Sequence, residues 1–149
     1  MNLYYFTLII LLTVISIIDF LKYIIPNLSL IFGGSICILL NIVGKGVGLA
    51  ISISGCIIMV VFTYIIASIL KKIFKEECIG FGDIKLFGMI GLYLGANTTI
   101  IIYFFSLYIA SFIGISYVIY SKFKYGEYNK FIPFAPIISL VTVFVLLIK

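Results

Sequence analysis

Two acids in this chain stand where a carboxylate is costly. Asp19 lies near the carboxyl end of the first apolar run, and Asp83 opens a later one within Gly80-Phe81-Gly82-Asp83-Ile84-Lys85. Ionisable side chains in apolar segments are rare and are functional candidates by default. Two carboxylates that meet cannot both ionise cheaply, so such a pair shares one proton. That is the apparatus of an aspartic protease. The ionised partner takes a proton from water, and the protonated one hydrogen-bonds the scissile carbonyl oxygen. The chemistry calls for no metal, no cofactor and no histidine.

Each acid also has a plain structural reading. Asp83 precedes Ile84, the expected first turn of an apolar helix, where a carboxylate serves as an N-cap. Asp19 has a poorer excuse, because the dipole at a helix carboxyl end disfavours an anion. The other acids, Glu76, Glu77 and Glu127, sit beside lysines in polar loops and read as solvated charges. Gly80 and Gly82 read either as an ordinary turn or as backbone freedom and room for a substrate strand to approach Asp83.

The elements that must position these acids follow from composition. The chain has 149 residues, of which 64% are hydrophobic and 10% charged, with a mean hydropathy of +1.37. That leaves too few polar side chains to cover a soluble domain of this size. The lipid bilayer is therefore the expected solvent, and the fold class is all-α: a polytopic membrane protein with about six transmembrane helices. The chain contains no histidine, which excludes a Ser-His-Asp hydrolase, a His-ligated zinc protease and a His-anchored haem. Cys37, Cys56 and Cys78 are scattered and form no CxxC pair, so neither a zinc site nor a disulfide framework is expected. Cys37 and Cys56 read as small buried hydrophobes.

Apolar runs divide at charges and at glycine, proline or asparagine clusters. They predict spans at about Leu3–Leu21, Leu28–Val43, Val47–Leu70, Ile84–Ala96, Thr98–Tyr120 and Phe131–Ile148. The stretch from Ile84 to Tyr120 is too long for one crossing, and Gly95-Ala96-Asn97-Thr98 supplies a break. Lysine placement tests the six-span frame. Lys22, Lys71, Lys72, Lys75, Lys85, Lys122, Lys124 and Lys130 fall on one side, and only Lys45 and Lys149 on the other. Positive residues mark the cytoplasm, which puts both termini outside and both aspartates at the cytoplasmic face. The net charge of +5 is read as orientation and anionic lipid, with no nucleic-acid partner. Residues 1–149 read as a single domain.

With these residues in view, the chain resembles the type IV prepilin peptidases, membrane aspartyl proteases of the GxGD class. The family motif GxGDxKLxxxxGxxLG is matched at Gly80, Gly82, Asp83, Lys85, Leu86, Gly91, Leu94 and Gly95. The family's first aspartate is followed by Ile-Pro-Asn, and here Asp19 is followed by Ile25-Pro26-Asn27. A later Ile-Pro-Phe-Gly-Pro corresponds to Ile132-Pro133-Phe134-Ala135-Pro136, with alanine in place of glycine. The resemblance implies a catalytic pair of Asp19 and Asp83. It implies prepilin-like substrates whose short basic leader ends in glycine ahead of an apolar helix, cut at the cytoplasmic face. Gly80, Gly82, Lys85, Pro26, Asn27, Pro133 and Pro136 would shape the site. Read from the residues alone, Lys85 is foremost a positive-inside anchor, Pro26-Asn27 a helix stop and turn, and Pro133 and Pro136 markers of a helix start or kink. Longer members of the family carry paired CxxC motifs and also N-methylate the product. This chain lacks that segment, so peptidase activity without methyl transfer is expected. A preflagellin peptidase of the same class and a small proton-coupled transporter stand as alternatives.

Overall fold

The computed structural model describes residues 3–75, 79–125 and 133–148, with side chains described as far as 117 in the second stretch. Glu76, Glu77, Cys78, Glu127, Lys130 and Ile132 lie outside the described residues. The described chain is all-helical, in the order α1 (Leu3–Lys22), α2 (Asn27–Ile42), α3 (Leu49–Phe74), α4 (Phe81–Tyr125) and α5 (Ala135–Ile148). Leu3–Lys22, Leu49–Phe74 and Phe81–Tyr117 are long and apolar enough to cross a membrane. The apolar helices α2 and α5, of 16 and 14 residues, fall short of the ~20 residues a full crossing takes.

α4 is two helices joined at a kink. Gly95, at φ 75° and ψ 169°, is non-helical inside it. The Phe87 and Tyr103 rings meet with centroids 4.9 Å apart. In a straight helix those residues would be about 24 Å apart, so the chain turns back on itself at Gly95. The break predicted at Gly95–Thr98 is thus present, and it divides α4 into a short first arm (81–94) and a long second arm (96–125).

The break has a cost that the fold meets locally. Carbonyls at a helix interruption need new donors, because the bilayer interior offers no water. The Leu92 carbonyl accepts from the Ser52 hydroxyl at 2.5 Å, the Cys37 thiol at 3.3 Å and the Tyr4 hydroxyl at 3.5 Å. Asn41 completes the cluster, donating to Ser52 at 2.9 Å and to Tyr4 at 3.1 Å while its Oδ1 accepts the Gly48 N–H at 2.9 Å. Four segments, α1, α2, α3 and the first arm of α4, are therefore tied at one point. Cys37 is no bland hydrophobe, as its position in an apolar run suggests, but a member of this polar cluster.

Glycines let α3 and the first arm approach at backbone distance. A Cβ at Gly55 would lie 2.3 Å from the Gly91 carbonyl oxygen, and one at Gly88 would lie 2.5 Å from Val60 Cγ2. These antiparallel contacts set the register, which places Asp83 about level with Thr63–Ile65. α3 then runs about ten residues further, or about 15 Å, past the acid. Replacing Gly91 by alanine is expected to destabilise the protein by about 1–3 kcal/mol through overpacking. Gly34→Ala in α2, where nothing lies within 4 Å of the new Cβ, is expected to be neutral or to stabilise by about 0.5–1 kcal/mol. Thermal unfolding of both variants in one detergent separates the two.

Candidate active site

Asp19 sits on α1, three residues before its end, and is buried at 6% exposure. Its Oδ2 accepts the Ala135 N–H at 3.0 Å. Ala135 is the first residue of α5, and the Phe134 carbonyl already accepts from Ile137 and Ile138. Asp19 therefore caps the amino end of a different helix. The dipole of its own helix disfavours the anion, but that of α5 favours it, and Ala135 gains a partner that Pro136 never needs. One turn away, Ser16 and Ser139 share a hydrogen bond at 2.5 Å, and Ser139 also donates to the Leu12 carbonyl at 3.2 Å. This ladder fixes α1 against α5 and sets the height of Asp19.

Asp83 lies in the first turn of α4. The helix starts at Phe81, earlier than the predicted Ile84, so Asp83 is not the N-cap. Gly80 takes that place: its carbonyl accepts from Asp83 and Ile84, while its N–H donates to Asp83 Oδ2 at 3.3 Å. An acid at the third helical position reaching back to the cap N–H is one half of a capping box. Asp83 lies within electrostatic reach of Asp19, at the same end of the bundle. In each carboxylate the hydrogen bond described engages Oδ2.

The neighbouring motif residues meet around this pair. A Cβ at Gly82 would lie 3.1 Å from Ile25 Cβ, and one at Gly80 would lie 3.3 Å from Asp83 Oδ2. Neither glycine has a positive φ. Their expected conformational freedom is therefore not used; their lack of a side chain is. In the direction a side chain at Gly82 would take, the space is filled by Ile25. Lys85, read as a positive-inside anchor, donates from Nζ to Asn27 Oδ1 at 2.9 Å. Pro26 is the N-cap residue of α2 and Asn27 its first residue. The helix stop comes earlier, at Tyr23 with φ 54°. Ile25 and Asn27 thus tie the α1–α2 connection to the start of α4 on either side of Asp83. Phe134, half-buried between Pro133 and Ala135, packs its ring at a tilt against Phe87, one turn beyond Asp83, with centroids 6.2 Å apart. No group of three or more potential metal ligands occurs among the described residues.

The profile of the type IV leader peptidase family matches residues 6–119, a stretch that includes both aspartates, Ile25-Pro26-Asn27 and the whole glycine motif. The chain belongs to the type IV leader peptidase family. No curated protein and no solved structure matches it. Membership in this peptidase family agrees with the resemblance stated above. Asp19, Ile25-Pro26-Asn27, the Gly80–Lys85 start of the glycine motif and Pro133–Ala135 meet at one end of the bundle, while Gly91 and Gly95 lie at the other. Sequence reasoning missed how the family's motifs interlock. The Lys85–Asn27 bond joins residues 58 apart, and nothing in their spacing foretells it.

A double-mutant cycle tests that link. Asn27→Ala and Lys85→Met are each expected to lower thermal stability slightly. Together they should cost less than their sum, with a coupling of about 0.5 kcal/mol, at the low end because the pair is exposed. Additive effects in detergent unfolding would mean the bond is not formed.

Proposed function

We propose that this chain is a membrane aspartyl endopeptidase that matures type IV prepilin-like precursors of pilus, secretion or competence systems. It removes a short basic leader by cutting after the leader's glycine at the cytoplasmic face. The observation that carries this reading is the placement of Asp19 and Asp83. Two elements far apart in sequence deliver them to one end of the bundle, each with Oδ2 held by a backbone N–H. Family membership supplies the peptidase class.

The pair holds one proton between its members. The ionised carboxylate draws a proton from water as that water attacks the scissile carbonyl carbon. The protonated carboxyl gives its proton to the carbonyl oxygen. As the tetrahedral intermediate collapses, the carboxyl that took water's proton passes it to the leaving amine nitrogen and the other carboxylate regains its own, which restores the one-proton pair. The backbone donors at Gly80 and Ala135 hold each carboxyl group in orientation and cost no reorganisation during the reaction. Lys85, Asn27, Pro26, Gly80, Gly82, Pro133 and Pro136 hold the two acid-bearing elements in register.

In the membrane, we read the two arms of α4 as separate crossings, giving six segments in one domain with both termini outside. The lysine-rich ends then face the cytoplasm. The first arm rises only about 20 Å, and the register places Asp83 about two turns below Lys71 and Lys72 on the cytoplasmic side. The product amino terminus leaves unmethylated.

Cleavage of a purified precursor in liposomes is the decisive test. Asp19→Asn and Asp83→Asn each keep an oxygen for Ala135 or Gly80, so both variants are expected to stay folded. Each should lose at least ~10²–10⁴-fold in kcat, the range for removal of an acid–base group. A folded variant that cuts as well as wild type would show that its aspartate is only a cap. Activity against pH should be bell-shaped, falling in acid as both carboxyls protonate and in base as both ionise. A rate that climbs steadily through the range would exclude a shared proton.

A further inference from the structure

Among the described residues, two buried side-chain hydroxyls have no hydrogen-bond partner: Tyr103 Oη and Ser106 Oγ. Both residues are fully buried and lie one turn apart on the second arm of α4. The fold does not treat its other buried hydroxyls this way. Tyr93 donates to the Gly33 carbonyl at 3.1 Å, and Tyr4 joins the cluster at Leu92. Thr63, Thr99, Ser139 and Thr142 each bond a carbonyl of their own helix. A serine can turn to the carbonyl one turn behind it. Tyr103 cannot, because its ring is wedged among Phe87 at 4.9 Å, Phe62 at 5.5 Å and Phe104 at 5.7 Å.

The location gives the orphans a purpose. Phe87 lies one turn beyond Asp83 on the first arm, so its partner Tyr103 stands one turn deeper in the bilayer than the acid. A peptidase acting here has to unwind its substrate, since a helical peptide bond has its carbonyl locked in the ladder. The unwound carbonyls then sit in apolar surroundings with no water to pair them. Acyl chains at that depth carry no acceptor either, so lipid does not explain the two donors.

We propose that Tyr103 and Ser106 are substrate-binding residues that donate hydrogen bonds to backbone carbonyls of the precursor's unwound segment, on the apolar-helix side of the scissile bond. The proposal rests on the endopeptidase reading above and specifies how that site holds its substrate. Both hydroxyls are closed off in this structure. The proposal therefore requires the two arms to separate when the substrate enters, and Gly95, the non-helical residue between them, is the link about which they would turn.

The test uses the full chain in liposomes and a precursor with a short basic leader ending in glycine ahead of an apolar helix. kcat, KM and the thermal midpoint are measured for wild type, Tyr103→Phe and Ser106→Ala. Tyr103→Phe is expected to raise KM about tenfold with kcat nearly unchanged, the signature of lost uniform binding. Its thermal midpoint should hold or rise, because an unpaired buried group has been removed. Ser106→Ala should shift KM the same way by less. If wild type cuts and Tyr103→Phe keeps its KM, the proposal is overturned. A fall in kcat at constant KM would assign the hydroxyl to holding water and overturn it too, and a lowered midpoint would make Tyr103 a structural residue. If wild type cuts nothing, the endopeptidase reading has failed first, and this proposal falls with it.

Discussion

The whole arrangement hangs on one carbonyl. A helix that reverses direction inside a bilayer leaves backbone acceptors that neither water nor lipid can satisfy. Leu92 is such an acceptor, three residues before the break at Gly95, and Ser52, Cys37 and Tyr4 converge on it. Each donor belongs to a different helix, so satisfying one oxygen fixes the mutual position of α1, α2 and α3 around the first arm of α4. An unsatisfied buried group costs about 1–3 kcal/mol in proteins generally, a large share of typical net stability. Remove the reversal and the second arm would be carried away from the first, so Tyr103 could not meet Phe87.

At the other end of the bundle the same rule places the acids. α5 begins inside the protein, and its first free N–H needs an acceptor. Asp19 provides it, and in return a carboxylate that its own helix repels acquires a favourable dipole. Asp83 does the equivalent for Gly80. The two acids are thus structural caps and catalytic candidates at once. Caps fix a carboxyl group's orientation without consuming both of its oxygens. For these residues the bland reading and the functional one are complementary.

What could be read in the sequence was what local composition dictates. The apolar runs foretold helices, and Gly95-Ala96-Asn97-Thr98 foretold the break, because glycine amid polar residues interrupts both pattern and ladder. The glycines of α4 foretold a close helix contact, which Gly55 and Val60 supply from α3. Asp19 and Asp83 stood out because an acid in an apolar segment needs a reason. The reasons themselves were not legible, since they are tertiary. Nothing near Asp19 says that Ala135 will come to it, and nothing near Lys85 says that Asn27 will. The start of α4 was misplaced because Phe81 and Gly82 look like turn residues, while the reach of Asp83 back to Gly80 depends on a geometry that spacing does not encode. Cys37 passed for a hydrophobe because its polar partners come from three other helices.

The bilayer also makes polar satisfaction unusually diagnostic. In water a stray hydroxyl finds solvent, and its lack of a protein partner says little. Here every buried polar atom must be paired by the protein or be held for something that arrives later. Tyr4, Cys37, Asn41 and Ser52, gathered around Leu92, all have hydrogen-bond partners, as a structural anchor should. Of the two unpaired donors, Ser106 lies near the level of Asp83 and Tyr103 one turn deeper. A fold that matches Tyr4 and Tyr93 so closely, yet leaves Tyr103 without a partner one turn from an acid, is incomplete on its own. What completes it must carry backbone-like acceptors into an apolar layer, and an unwound polypeptide is the molecule that does so.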